Sequence, residues 1–460
     1  MTVCIHSFPF TFPLMSDLVY AYAQPSALTR SPEGEALLLA AYTENAAAGG
    51  ATSFFRGQLR EAWLTARGLT TLAKVVASRF VPQSAALRDP IVTAGAERLR
   101  FEAFSSCNGV YARLDLGPAA LDGELMQSGT TNVDFNEPMV NALSRISRHE
   151  PVRLSVGQQE VTLERAAGHV TERKVTLPER WLKGLAGAQA YLAQMEEKLI
   201  LNRLQATQLL HSLPAGAARG ATYLVLRGGR PALVPVAGPG AVRIGGAHRL
   251  RLLDGLLPLT DTLRLYATPD GQASAVVLEL GTGHEFLLAL SAEVNRGFSG
   301  EGNQLDALAE DLPAEWLAGA NNLFHSNEVF NPTLFGLTHD LTPATVARLC
   351  ASLAAMGLLG FDLRENQYFY RRLPFKTARI LQLNPRLKNA RALLENADDV
   401  QLVAVGPGGR TEARVRGTEA WHTVLVGGAA PPRCTCQWFS THQGQRGVCK
   451  HILAAQLRFG

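Results

Sequence analysis

No stretch of this chain approaches the roughly 18 uninterrupted apolar residues of a membrane span; the nearest, "LRLLDGLLPLTDTL", carries charges. Cysteine is scarce. Of six in 460 residues, Cys4, Cys107 and Cys350 are scattered, which excludes a disulfide framework and fits a reduced, cytoplasmic setting. The first fourteen residues lack the basic start and apolar block of a signal peptide, and Met15 opens a second plausible start, so 1–14 read as a dispensable tail. Nucleotide-binding spacings are missing too: "RGFSGEG" is neither Gly-x-Gly-x-x-Gly nor a P-loop and reads as a tight turn. No internal repeat of fixed period appears.

Acid is missing in two places near the C-terminus. None occurs between Arg371 and Arg391, and none after Glu419. From Asp362 onward fifteen Lys/Arg face seven Asp/Glu, a balance of +8, against −4 for the preceding residues. A basic C-terminal quarter on an acidic body points to an anionic partner. Within the strip, Arg371, Arg372, Lys376, Arg379, Arg386, Lys388 and Arg391 are candidate phosphate contacts, with Tyr368, Phe369 and Tyr370 just upstream as stacking or core surfaces.

At 47% apolar and 18% charged residues the composition is globular, and the length implies about three domains. Residues 16–98 are rich in Ala and Leu at three- and four-residue steps and read as helical, which makes 1–98 a helical N-terminal region. Alternation begins at Leu99, and a helical stripe through Trp181, Leu185, Ala188, Leu192, Met195 and Leu199 predicts one long helix over 178–213. Residues 99–215 are thus an α+β region. Short apolar runs divided by Gly-rich turns make 216–311 a β-meander. In 312–375, "PAEWLAGANN" and "NPTLFGLT" predict two helices, and "TPATVARLCASLAAMGLLG" a third, capped one with Val346, Leu349, Leu353 and Met356 inward. A hairpin about Arg364–Asn366 follows. That order resembles a winged helix. Residues 376–460 complete a multidomain α+β chain.

The remaining cysteines lie together in "CTCQWFSTHQGQRGVCKH", residues 434–451. Cys434, Cys436, Cys449 and His451 supply the four soft ligands that zinc takes tetrahedrally. His442, within the loop, is an alternative fourth ligand. Four protein ligands leave no open position, so one zinc here would be structural. Arg446 and Lys450 beside it join the candidate nucleic-acid contacts.

Three short strands ("VQLVAV", "EARVRG", "WHTVLV") followed by Cys-x-Cys, a loop, Cys-x-His and a helix resemble a SWIM-type zinc finger over about 399–460. The resemblance rests on Cys434, Cys436, Phe439, Gly447, Cys449, Lys450, His451 and Ile452. It implies a DNA- or protein-binding element. The longer chain, in "FSSCNGVYARLDL", "GTTNVDFN", "LPERWLKG" and "RGFSGEG", is similar to bacterial SWIM-containing proteins, some encoded beside MoxR-type ATPases and von Willebrand A-domain proteins. The finger and the basic C-terminal quarter point to a nucleic-acid-binding protein, DNA first, and the longer resemblance adds an adaptor for such an ATPase as the alternative. An enzyme in 99–311 would draw on Cys107, Asp115, Asp134, Glu137 and His149, but no spacing orders them into a constellation.

Overall fold

The computed structural model describes residues 27–31, 34–40, 53–80, 91–95, 97–125, 128–132, 137–157, 160–165, 179–218, 220–292, 297–298, 316, 329–371, 385–444 and 447–459. Helices and antiparallel sheets mix throughout, as an α+β chain requires. No helix among these residues is long and apolar enough to cross a membrane.

The largest sheet has eight strands in the order Glu196–Asn202, Thr262–Ala267, Ala273–Glu279, His284–Ser291, Val110–Leu116, Arg98–Phe104, Ile91–Gly95, Gly129–Asn132. Its central strands "VYARLDL" and "HEFLLALS" are buried at every position, which means that both faces are covered. Helix Ala62–Ala77 lies against Arg98–Phe104 and Val110–Leu116, burying Leu64, Leu69, Leu72, Val75 and Val76. A six-stranded sheet runs Ala27–Ser31, Gly34–Ala40, Glu160–Arg165, Arg153–Gly157, Ser53–Leu59, Leu121–Leu125.

Three expectations are corrected here. Residues 16–98 are not wholly helical: 27–31, 34–40, 53–59 and 91–95 are strands, because ladder pairing with 153–165 and other distant segments overrides the Ala/Leu propensity. The long helix over 178–213 is two helices, Glu179–Leu192 and Arg203–Ser212, separated by the strand Glu196–Asn202 on the sheet edge. Asn202 restarts the helix with a capping box to Gln205. The divide at 215/216 does not bound a sheet either, since His284–Ser291 pairs directly with Val110–Leu116.

In the next segment, helices Pro332–Thr338 and Pro343–Ala355 are followed by the hairpin Leu359–Asp362 and Gln367–Tyr370, with Asn366 at φ 50° in the turn. Val346, Leu349 and Leu353 are buried and Met356 is half-buried, as the spacing predicts. The expected helix over "PAEWLAGANN" lies largely outside the described residues. Farther on, a four-stranded sheet, Val400–Val405, Thr411–Arg416, Trp421–Val426, Arg433–Cys434, is covered on one face by helix Lys450–Phe459. Helix Pro385–Leu394 packs against that same helix.

Candidate metal centre

Strand alternation builds the first half of the site. Val424 pairs with Cys434 and faces the helix, so Cys434 points to the interior and Thr435 to solvent. Cys436 returns inward and caps helix Gln437–His442, its Sγ accepting the Phe439 N–H at 3.4 Å. The chain then reverses through Gln443 at φ 44° and Gly444 at φ 81°. That is the left-handed region where glycine costs least.

The second half comes from a helix start. The Cys449 carbonyl accepts from the Leu453 N–H at 3.0 Å, which places the sulfur at the N-terminus of helix Lys450–Phe459 and His451 in its first turn. Ile452, Leu453, Ala454 and Ala455 fix the helix by burial against the sheet.

One ligand atom from each of Cys434, Cys436, Cys449 and His451 lies within 4.8 Å of the others, and all four residues are buried. His451 Nδ1 is 3.8 Å from Cys434 Sγ and 4.0 Å from Cys449 Sγ. Zinc–sulfur bonds of ~2.3 Å and zinc–nitrogen bonds of ~2.0 Å imply tetrahedral edges of about 3.5–3.8 Å. The donor set therefore fits a zinc ion. It also needs one. Hydrogen bonds with Cys434 and then Cys449 hold the Cys436 thiol far below its ordinary range, while the contact with Cys436 pushes Cys434 far up. A cation at the centre would favour ionisation of all three. His442 is not part of this cluster: its half-buried ring stands edge-on to Trp438, with centroids 4.9 Å apart.

The expected phosphate contacts divide. Arg371 is corrected: it is 1% exposed, ion-paired with Glu102, and donates to the Leu185 carbonyl at 2.9 Å. A guanidinium so enclosed does not reach a nucleic acid. Arg386 is committed internally, donating to the Val448 carbonyl at 3.1 Å and lying 4.8 Å over the Trp438 ring. Lys388 and Arg391 are exposed on the helix packed against the metal-bearing helix, and Lys450 is half-buried at that helix's start. Arg372, Lys376, Arg379 and Arg446 lie outside the described residues.

The five enzyme candidates are not brought together. Asp115 is buried and pairs with Arg113 at 2.8 Å, Cys107 is half-buried in a turn, and Glu137 and His149 are exposed. Asp134 lies outside the described residues.

Sequence reasoning missed the charged junction that Asp115 belongs to. Asp362 Oδ2, on the hairpin, faces Arg98, Arg100 and Arg113 of the large sheet at 4.0, 3.9 and 3.8 Å. Glu285 sits 3.0 Å from Arg364 and 3.6 Å from Arg98. Beside them, Tyr111 donates to Glu102 at 2.6 Å and Gln189 accepts the Phe361 N–H at 2.8 Å. The alternating charges in "RLRFEAF" and "VYARLDL", buried on strands, were the available signal. Oppositely charged side chains fill a core only when they pair.

No family model and no curated protein matches the chain. Among solved structures it is similar to proliferating cellular nuclear antigen from Entamoeba histolytica, at 10% identity and TM-score 0.36, over 52% of this chain and 99% of that one. It is also similar to a PCNA2–PCNA3 complex from Sulfolobus tokodaii, at 8% identity and TM-score 0.33, over 51% and 98%. Likeness at that level carries no functional reading.

Proposed function

We propose that the C-terminal quarter is a zinc-stabilised binding module of SWIM type, preceded by a winged-helix-like unit, and that it binds nucleic acid, DNA first. The observation that carries the zinc assignment is the buried three-cysteine, one-histidine cluster, closed by four protein ligands. A closed site does no chemistry on a substrate; it holds a surface in shape. Partner choice is supported by charge: Lys388, Arg391 and Lys450 stand on two helices packed together, and no acid follows Glu419.

A salt titration tests this. Phosphate binding releases counterions, so log affinity falls linearly with log salt by roughly 0.9 per duplex phosphate and roughly 0.7 per single-strand phosphate contacted. Replacing Lys388 and Arg391 with Ala is expected to flatten the duplex slope by about two and weaken all sequences alike. Absence of binding to any DNA or RNA at low salt, with a protein partner such as a MoxR-type ATPase captured instead, would replace this reading with the adaptor one.

A further inference from the structure

The four-stranded sheet has a second face, turned away from the metal. Alternation places Gln401, Glu412, Arg414, Arg416, Trp421, Thr423, Leu425, Arg433 and Thr435 on it, because their neighbours Ala413, Val415, Val424, Val426 and Cys434 are buried on the helix side. Three guanidiniums share this face with one acid. Arg416 opposes Trp421, and Arg433 opposes Leu425. Arg414 lies 5.6 Å over the Trp421 ring, and that indole is 38% exposed. Arg416 makes its ion pair with Asp399 at 3.2 Å while its side chain stays 60% exposed. Arg414 and Arg433 are exposed and have no carboxylate partner among the described residues.

We infer that this face binds single-stranded nucleic acid, with an unpaired base stacked on the Trp421–Arg414 pair and phosphates held at Arg414, Arg416 and Arg433. The inference rests on the nucleic-acid reading above and deepens it by naming the surface and the strandedness. An aromatic on a flat sheet offers a π-face to any base that is free to stack, and an arginine plane does the same. Duplex DNA keeps its bases stacked internally, and its major groove admits a helix or a two-stranded ribbon, not a broad sheet face. The spacing suits an extended backbone. Arg414 and Arg416 are two residues apart along one strand, about 6.7 Å, and Arg433 is two strands away from them, roughly 10 Å. A large apolar partner is disfavoured by the polar row Gln401, Arg414, Thr423, Thr435 across the sheet.

The test uses the full-length, zinc-loaded chain and fluorescein-labelled oligothymidine, with a mixed-sequence duplex beside it. Trp421→Leu is expected to weaken single-strand binding about tenfold, the scale of one lost stacking contact. Trp421→Phe, which keeps a π-face, is expected to restore most of it. Arg414→Ala with Arg433→Ala should flatten the single-strand salt slope by about 1.4. Unchanged zinc content shows that the module is folded in each variant, and Arg414→Ala with Arg433→Ala decides alone should Trp421→Leu lose metal. If these variants bind like the parent while Lys388→Ala with Arg391→Ala loses affinity, phosphate binding stands and this face is wrong. Tighter binding to duplex than to single strand, or equal competition by a polyglutamate peptide, overturns it too. No binding of the parent to any nucleic acid overturns both readings.

Discussion

Cys436 has two jobs open to it: it belongs to the buried four-residue cluster that could hold a metal, and it caps the helix that follows. Its replacement by serine removes a soft donor and leaves two thiols and an imidazole around a zinc-sized gap. Structural zinc supplies on the order of 10 kcal/mol to small modules. Cys436→Ser is therefore expected to lose zinc by elemental analysis and to expose residues 400–459 to protease. His451→Ala should lose zinc and His442→Ala retain it, since His451 Nδ1 faces the sulfurs while His442 stands edge-on to Trp438; the opposite pattern would reassign the ligand. Arg371 makes a different point. Removing it strands Glu102, 0% exposed at its side chain, without its charge partner. Arg371→Ala should cost about 3–5 kcal/mol in denaturant unfolding while leaving zinc content unchanged. A neutral result would mean that Glu102 takes up a proton at little cost.

Hairpin and sheet meet at the charged junction, and that contact responds to pH through Glu285. Burial, then Asp115 across the sheet, pushes its carboxyl up from 4.5 to about 7, despite Arg364 and Arg98 nearby. The groups facing it are Arg98 and Asp115 of the sheet and Asp362 and Arg364 of the hairpin. The folded form binds this proton more tightly than the unfolded chain does. Its contribution is complete below about pH 4.5 and is lost as pH rises through about 7, about 3 kcal/mol across the window. Glu285→Gln removes that slope, so the variant should gain stability relative to the parent between pH 5 and 7.5 in urea titrations. Parallel curves would show that Glu285 is ionised throughout. Elements like this hairpin were legible in the sequence because their signals are local: Thr342 caps Pro343–Ala355, and Val346, Leu349 and Leu353 mark its inner face. The cluster of Cys434, Cys436, Cys449 and His451 was legible for the same reason, its four residues lying within eighteen positions. What the residues hid was long-range. Glu102 and Arg371 are 269 positions apart, so a basic strip looked solvent-facing where its first member is core. Leu192, Met195 and Leu199 fit a helical stripe, yet pairing of Glu196–Asn202 with Thr262–Ala267 decided their structure. The Asn202–Gln205 capping box was the one local sign that a helix begins anew there.

At the scale of the whole molecule, two parts are held by different physics. The eight-stranded sheet draws strands from 91–132, 196–202 and 262–291 and rests on apolar burial and long-range pairing. Farther along, helices Pro385–Leu394 and Lys450–Phe459 and the four-stranded sheet pack chiefly on one another, around the cluster of Cys434, Cys436, Cys449 and His451. Small modules bury too little surface to hold such a cluster unaided. Chelation is thus expected to unfold one part and spare the other. In hydrogen exchange followed by mass spectrometry, a strong chelator should abolish protection across Val400–Val405, Thr411–Arg416, Trp421–Val426 and Lys450–Phe459. Amides of Thr262–Ala267, Ala273–Glu279 and His284–Ser291 should stay protected, because their partners are one another, Glu196–Asn202 and Val110–Leu116. Restored zinc should return the lost protection together with any nucleic-acid affinity. Simultaneous loss across both parts would mean that the finger and the large sheet unfold as one cooperative unit, and the zinc would then stabilise the entire chain.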